Sequence, residues 1–498
     1  MSRFRPPSYP RPVAVGPSGG KSALPAAPLP LTRPQPAAAA PSKPPAIVTP
    51  AKPEQRRTLI LAVLGMYSFM LMLPITEVLK TWTGVYIPLL PVLAVLLCVS
   101  IVFSGQLGRF WAVSISKPWM LLLGLMLVAA IFGQYRSAST LFIAEYGARY
   151  HVLPFYCCAF IFTTGQVRRC LYWLCGAGLL LLLICLRFGE QAEGRFFVLP
   201  GTSLSNPNDL AFTLLLSATI LLLLMYAKSI PLRVIGAISI PLIFYFVLKT
   251  ASRANFVTLV VLLPVAFWVM SRRVKIAILI LGPIAAACII ATVPSNALAR
   301  LVLIWSDPNA HLADDPNFVG AIESQITRTQ LQERAAKLAL RNPLLGVGAQ
   351  QFQVAVEKMV REETGRKSGW QEAHNTYLEI AAENGVPALL CFLASLFLTL
   401  KMNIFCYRTC RAHRAMRPAL GQSVCLLLMT VAYMVGLTFS NSSYDVHLDL
   451  LVAFTAANFL AIRQELAALG VPQPLSTPSA APLMVAPQPV LASPLRSA

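Results

Sequence analysis

The chain has 498 residues, of which 56% are hydrophobic and only 12% are charged. Soluble globular proteins average about 25% charged residues, so the composition excludes that class. The formal net charge of +21 would suit a nucleic-acid-binding protein. The distribution of the charges, taken up below, argues against that role.

Proline-rich segments stand at both ends of the chain. Residues 1–57 hold fifteen prolines and no apolar core, which is typical of a disordered tail and not of a cleavable signal sequence. Residues 463–498 are similarly rich in proline and alanine. The sequence thus predicts two disordered tails around a membrane domain at 58–462.

Apolar runs of about 20 residues recur between the tails, and each can cross the hydrocarbon core as a helix. The sequence predicts an all-α polytopic membrane protein with about twelve transmembrane helices. They are expected near residues 58–79, 84–104, 117–133, 150–165, 169–187, 207–227, 231–248, 253–270, 274–293, 376–400, 420–440 and 446–462.

The charged residues alternate between successive loops. Five short loops (105–117, 166–169, 228–233, 271–275 and 401–418) carry fourteen Lys or Arg and no Asp or Glu, whereas the long loop at 294–375 has nine of each sign. Basic loops favour the cytoplasmic side. We therefore expect both termini in the cytoplasm, the long loop outside with short helices of its own, and no nucleic-acid partner.

The sequence has no pattern typical of a metal site or another cofactor site. The eleven cysteines form no CxxC pair, so they are interpreted as small apolar packing residues. The adjacent acidic pairs of the long loop, Asp314-Asp315 and Glu362-Glu363, are typical of solvated loops. Metal catalysis needs fixed oxygen ligands, so we expect a metal-independent reaction without a cofactor.

The first polar stretch predicted to lie outside is "NPND" at 206–209. Asn206 can cap the helix that follows, Pro207 suits its first position, and Asp209 lies in the first turn. The stretch thus has the features of a well-formed helix start. Direct contact with a substrate is the alternative, and Asn208 is the candidate substrate-binding residue.

Two arginines predicted to lie outside can bind an anion. Arg253, in "TASRA", opens a span beside small residues; it can reach lipid headgroups or hold a bulky ligand. Arg328 falls on the apolar face of a predicted five-turn helix with Leu331, Ala335 and Ala339. A charge on a buried face must be paired, and either an acid of the protein or an anionic ligand can supply the partner.

The stretch "QEAHNTYLEIAAENGVP" at 371–387 places His374 and Asn375 just before another span. A single histidine can be a hydrogen-bonded structural residue, but a neutral imidazole can also accept a proton near pH 7. Two arginines and a histidine on one side of the membrane suit a reaction whose donor carries a pyrophosphate. We expect Gly385 and Pro387 to break the helix that follows.

Taken in order, "NPND", "SRA", the helix ending in "NPLLGVG" and "HNTYLEIAAENGVP" resemble the O-antigen ligase and O-antigen polymerase family of bacterial envelope enzymes. The resemblance covers roughly residues 200–400 and implies that Arg253, Arg328 and His374 are the essential residues. Asn375, which adjoins His374, is a further candidate substrate-binding residue, as is Asn208. Family members commonly have a tryptophan four residues after the second arginine. Gln332 stands at that position in this chain.

The resemblance also implies an activity. It implies the all-helical membrane glycosyltransferase fold, in a bacterial inner membrane, and metal-independent, inverting transfer of a glycan from undecaprenyl pyrophosphate. The acceptor would be the lipid A core, another glycan or a protein. Two other functions remain as alternatives: a transporter or flippase for the lipid-linked glycan, and a non-catalytic membrane partner of a polysaccharide assembly complex.

Overall fold

The computed structural model describes residues 55–85, 87–133, 136–192, 194–302, 316–365, 367 and 371–471. The predicted tails, except for residues 55–57 and 463–471, lie outside the described residues. So does the part of the long loop at 303–315, which includes Asp314-Asp315.

Helices make up nearly all of the described chain. In chain order they are α1 (Gln55–Met72), α2 (Ile75–Thr83), α3 (Leu89–Ser104), α4 (Ser116–Phe132), α5 (Arg136–Tyr146), α6 (Leu153–Phe160), α7 (Thr164–Phe188), α8 (Pro207–Met225), α9 (Ile230–Lys249), α10 (Arg253–Val269), α11 (Arg272–Thr292), α12 (Ser295–Val302), α13 (Pro316–Arg341), α14 (Phe352–Thr364), α15 (Thr376–Ala412), α16 (Leu420–Gly436) and α17 (Val446–Ala468). The expectation of an all-α chain needs one small correction. Two short strands, β1 (Gly189–Ala192) and β2 (Arg195–Val198), pair as an antiparallel hairpin between α7 and α8.

The expected number of about twelve spans is not confirmed. Within the described residues, six helical segments are long and apolar enough to cross a membrane, or up to eight if the bent pair α1–α2 and the bent α11 each count as one. The apolar helices α3, α4 and α10 have 16 or 17 residues. At 1.5 Å per residue they cover roughly 24–26 Å of a hydrocarbon core about 30 Å thick.

The predicted span at 150–165 is wrong as a continuous helix. A π-helical turn ends at His151, α6 has only eight residues, and the chain is extended at Ile161 before Thr163 caps α7. All residues of α6 except the half-buried Phe155 are buried, and the helix packs against α17. The apolar run here is protein core, and apolarity alone does not separate a buried segment from one that faces lipid.

The centre of the bundle is formed by α8, α16 and α17, which are buried along most of their length. Around them, α8 packs against α7, α9 and α16, and α15 packs against α4, α13, α16 and α17. The predicted break in α15 is confirmed, because Gly385 has φ 82° and ψ 169° inside the helix. There the backbone N–H of Val386 donates to the carbonyl of Pro343, and that of Val347 to the carbonyl of Ala382. The segment after α13 is thus joined to the break in α15.

Candidate active site

The start of α8 forms a fully hydrogen-bonded junction. Asn206 caps the helix as expected, because its side chain accepts from the backbone N–H of Asn208 at 3.0 Å. The Oδ1 atom of Asn208 accepts from Arg195 of β2 at 2.8 Å and from the Ser252 hydroxyl at 2.9 Å. The backbone carbonyl of Asn208 accepts from Asn255 at 2.9 Å. The side-chain oxygen of Asn208 therefore joins the hairpin to the turn that precedes α10.

Arg253 is the first residue of α10 and is half-buried. Its guanidinium donates to the side-chain carbonyl of Gln325 on α13 at 2.8 Å. Gln325 lies three residues before Arg328, and positions i and i+3 are neighbours on a helix surface. The structure therefore places Arg253 beside the part of α13 that carries Arg328.

Arg328 lies on the face of α13 that the periodicity predicts, together with the buried Leu331, Ala335 and Ala339. The helix begins at Pro316, so its 26 residues make about seven turns where five were expected. The Nε atom of Arg328 is buried without a hydrogen-bond partner, and no ion pair involves Arg328 in the part of the chain that the structure describes. Burial lowers the pKa of its guanidinium. A buried cationic donor without a partner can bind an anion.

His374 stands in a strained backbone conformation next to Arg328. Its φ of 51° is in the left-handed region, which costs of order 1–3 kcal/mol for a residue other than glycine and recurs at functional sites. Burial, and secondly the charge of Arg328, lowers the pKa of the imidazole to about 4. The ring is therefore neutral at pH 7. Gln332 makes a long contact of 3.5 Å with the backbone carbonyl of His374.

A small polar pocket opens beside His374, with an inner volume of about 20 Å³, or room for about one water molecule. Its lining comes from the starts of α8 and α10, the segment before α15 and the end of α16. The lining residues are Asn206, Asn208, Asp209, Ala254, Asn255, Glu372, His374, Gly436, Phe439, Ser440 and Asn441. All of them belong to segments that the charge pattern assigns to the external side.

Two carboxylates of this pocket were not predicted as site residues. The sequence indicates Asp209 only as a helix-start residue and assigns no role to Glu372. Burial raises the pKa of Glu372, while a hydrogen bond from Asn441 lowers it. The spacing of Glu372 from His374 was the available signal, but nothing in the sequence shows that Asp209 faces the same pocket.

Asn375 stabilises the start of α15. It is the N-cap of α15, and its side-chain oxygen accepts from the backbone N–H of Leu378 at 3.1 Å. The same helix start is fixed by Thr376, whose hydroxyl donates to the carbonyl of Ser440 at 2.9 Å. The capping bond engages one lone pair of the Asn375 oxygen and leaves its amide nitrogen outside that bond.

Metal-ligating side chains are not gathered in the part of the chain that the structure describes, where no group of three or more His, Cys, Asp or Glu could hold an ion. The described polar groups of the pocket can instead bind hydroxyls, and the arginines can bind phosphate oxygens. Chemically, the arrangement combines a cationic surface for an anionic leaving group with a neutral base.

The three expected essential residues lie in one stretch of the chain. Residues 237–393 match the O-antigen ligase family model. The match confirms the expected family resemblance over this stretch, which includes Arg253, Arg328 and His374. An O-antigen ligase domain implies a glycosyltransferase-like enzyme that joins a glycan to an acceptor in O-antigen assembly. The match leaves out Asn208 and Asp209 on α8. No curated protein matches the chain.

Proposed function

We propose that this protein transfers a glycan from undecaprenyl pyrophosphate to an acceptor hydroxyl at the external face of a bacterial inner membrane, with inversion and without a metal. The observation that carries the proposal is the buried Nε atom of Arg328, which has no partner in the described chain and lies beside a neutral histidine. The family match supports the class of reaction. The residue roles and the carrier are proposed from the contacts and charges of the site.

Arg253 and Arg328 would hold the pyrophosphate. Each guanidinium can donate two parallel hydrogen bonds to phosphate oxygens and offset the charge that develops on the leaving group. Arg328 has its Nε atom available, and Arg253 can exchange its contact with Gln325 for a phosphate oxygen. Such contacts strengthen as the bond to the anomeric carbon breaks, so they lower the barrier as well as bind the donor.

His374 would take the proton of the acceptor hydroxyl as the hydroxyl oxygen attacks the anomeric carbon. The base must be unprotonated and within hydrogen-bond reach of that hydroxyl. A pKa of about 4 keeps the imidazole neutral at pH 7. The pocket beside the ring has the size of a single hydroxyl or water, which suits an acceptor hydroxyl placed against the base.

Asp209 and Glu372 would orient the acceptor sugar. Both line the pocket that His374 lines, and carboxylates accept hydrogen bonds from hydroxyls. Neither Arg253 nor Arg328 lines this pocket, so we assign the pocket to the acceptor and the two arginines to the donor.

The test is the release of undecaprenyl pyrophosphate by purified full-length protein given a lipid-linked oligosaccharide and a panel of acceptors. We expect release to require an acceptor and to produce an acceptor-linked glycan in equal amount. Movement of the intact lipid-linked glycan across proteoliposomes, without release of pyrophosphate, would instead support a flippase. Absence of both would support a non-catalytic partner.

A further inference from the structure

A second and larger cavity lies on the same side of the protein, away from the candidate site. It has a volume of about 560 Å³, within the range of about 300–1,000 Å³ that is typical of ligand sites. It is formed by the end of α4, the start of α5, the end of α13, the loop that follows and α14. Its lining residues are Phe132, Gly133, Arg136, Leu338, Arg341, Asn342, Gly346, Val347, Ala355, Lys358, Met359 and Glu362. None of them lines the pocket of His374.

This second cavity is open to one side and is called the groove from here on. Its floor is formed by closely packed backbone segments. A Cβ atom on Gly133 would come within 2.8 Å of the Cα atom of Gly348, and one on Gly346 within 2.3 Å of the backbone of Glu383. Only glycine permits these approaches. The end of α4 and the break in α15 thus hold the loop between them, and the groove has a fixed shape.

Several polar groups beneath the floor are paired with one another. The buried carboxylate of Glu383 accepts from the backbone N–H groups of Gln350 and Phe352, each at 2.9 Å, and from the Tyr444 hydroxyl at 2.7 Å. The Ser139 hydroxyl donates to the carbonyl of Ala349 at 2.8 Å. These groups support the loop and are not available to a ligand.

The charged groups of the rim are, by contrast, unpaired. Arg136, Arg341 and Lys358 are exposed, and none of them forms an ion pair or hydrogen bond within the described residues. Glu362 is the single acidic side chain of the lining. The excess of positive charge over a concave surface attracts anions, and apolar side chains such as Phe132 and Met359 provide contact area beside it.

The groove is connected to the candidate site through α13. Arg328 and Arg341 are thirteen residues apart on this helix, which corresponds to about 20 Å at 1.5 Å per residue. A ligand that fills the groove and also reaches the candidate site must therefore be an extended chain and not a single small molecule.

From these observations we infer that the groove binds an anionic stretch of oligosaccharide, bearing phosphate or carboxylate groups, during glycan transfer. The inference rests on the proposed function, since it places a second part of the same glycan substrate. Phosphate groups of membrane lipids share this chemistry, and the experiment separates the two sources.

The experiment measures binding, so that it does not depend on turnover. The probe is a fluorescent glucose oligosaccharide with one phosphate monoester, compared with the same probe after phosphatase treatment. The full-length protein is held in phosphatidylcholine nanodiscs. We expect the wild type and Arg328→Ala to prefer the phosphorylated probe. The triple variant Arg136→Gln, Arg341→Gln, Lys358→Gln should bind it about tenfold more weakly, the effect of losing three exposed charge contacts.

Two controls keep a folding defect from imitating this result. Lys337→Gln removes an exposed charge from α13 outside the groove and should leave binding unchanged. Glu362→Gln removes the one repulsive charge and should tighten binding two- to threefold, roughly the worth of an exposed charge contact. A misfolded protein cannot gain affinity.

Three results would overturn the inference: equal binding by the triple variant and the wild type, loss of the phosphate preference in Arg328→Ala, or displacement of the probe by phosphatidylglycerol in the nanodiscs. The last would show a lipid headgroup site. In a transfer assay, the triple variant should raise the KM of one glycan substrate while kcat stays near normal. If the protein transfers no glycan at all yet shows the expected binding pattern, the proposed function fails and the anionic groove stands.

Discussion

The two arginines of the candidate site have opposite surroundings. Around Arg253, the side-chain oxygens of Asn208 and Gln325 are used in hydrogen bonds within the protein. Around Arg328, a buried donor has no partner in the described chain and His374 has a left-handed backbone. Native proteins pair nearly all buried polar groups, so a group left without a partner indicates a place that a ligand completes. We call the surroundings of Arg253 the paired half of the site and those of Arg328 and His374 the unpaired half. We propose that the paired half holds the site in position and that the unpaired half carries the reacting residues.

The largest effect should follow from replacing the histidine of the unpaired half. We expect His374→Gln and His374→Ala to lower the kcat of transfer by about 10²–10⁴, the usual worth of a general base. Donor binding should stay near normal, because the arginines hold the pyrophosphate. The measurement is single-turnover transfer together with binding of the lipid-linked donor. Normal turnover in His374→Gln would make the ring structural only.

The second-largest loss of activity should follow from Arg328→Ala. We expect kcat/KM to fall by about 10²–10³, the cost of removing one hydrogen-bond donor to a developing charge. Unlike the histidine variants, it should also weaken donor binding. Arg328→Lys should recover little, because an ammonium cannot donate two parallel hydrogen bonds to a phosphate. Lys337→Gln on the same helix is the matched control. Full activity of Arg328→Lys would contradict bidentate binding.

The sequence predicts the local features of the site well. The face of α13 that carries Arg328, the Asn206 cap and the break at Gly385 all follow from short-range patterns. Contacts between distant segments, such as those of Asn208 with Arg195 and Ser252, cannot be read from short-range patterns. The expected number of spans is not confirmed for a related reason: apolar composition alone does not separate buried helices from helices that face lipid.

In the paired half the effects should be smaller. We expect Asn208→Ala to leave Arg195 and the Ser252 hydroxyl without their acceptor, at a cost of about 1–3 kcal/mol in the free energy of unfolding. Activity should fall by about tenfold or less, since no reacting group is removed. Thermal unfolding and transfer rates of the purified protein give both values. A loss of activity as large as that of His374→Gln, with unchanged unfolding temperature, would show that Asn208 contacts the substrate.

Asn375→Ala should give the smallest change. The loss of a helix N-cap costs about 1 kcal/mol, and the backbone of His374 next to it is also fixed by the Thr376 contacts. Asn375→Ser or Asn375→Asp should restore the unfolding temperature, because both can cap. If neither restores transfer while both restore stability, the amide nitrogen of Asn375 binds substrate, the role for which the sequence makes it a candidate.

The most direct test of the account is the pH dependence of kcat/KM in the wild type and in His374→Gln. This quantity reports the pKa of the free enzyme's base. Because burial and Arg328 lower that pKa to about 4, the imidazole keeps its base form as pH falls below 6.5, and the decline that belongs to His374 should appear near pH 4. Recovery of activity on return to pH 7 excludes unfolding. We predict that the residual activity of His374→Gln has no such decline. The same decline in both proteins would assign it to another group, such as Glu372, and contradict the role of His374 as the base.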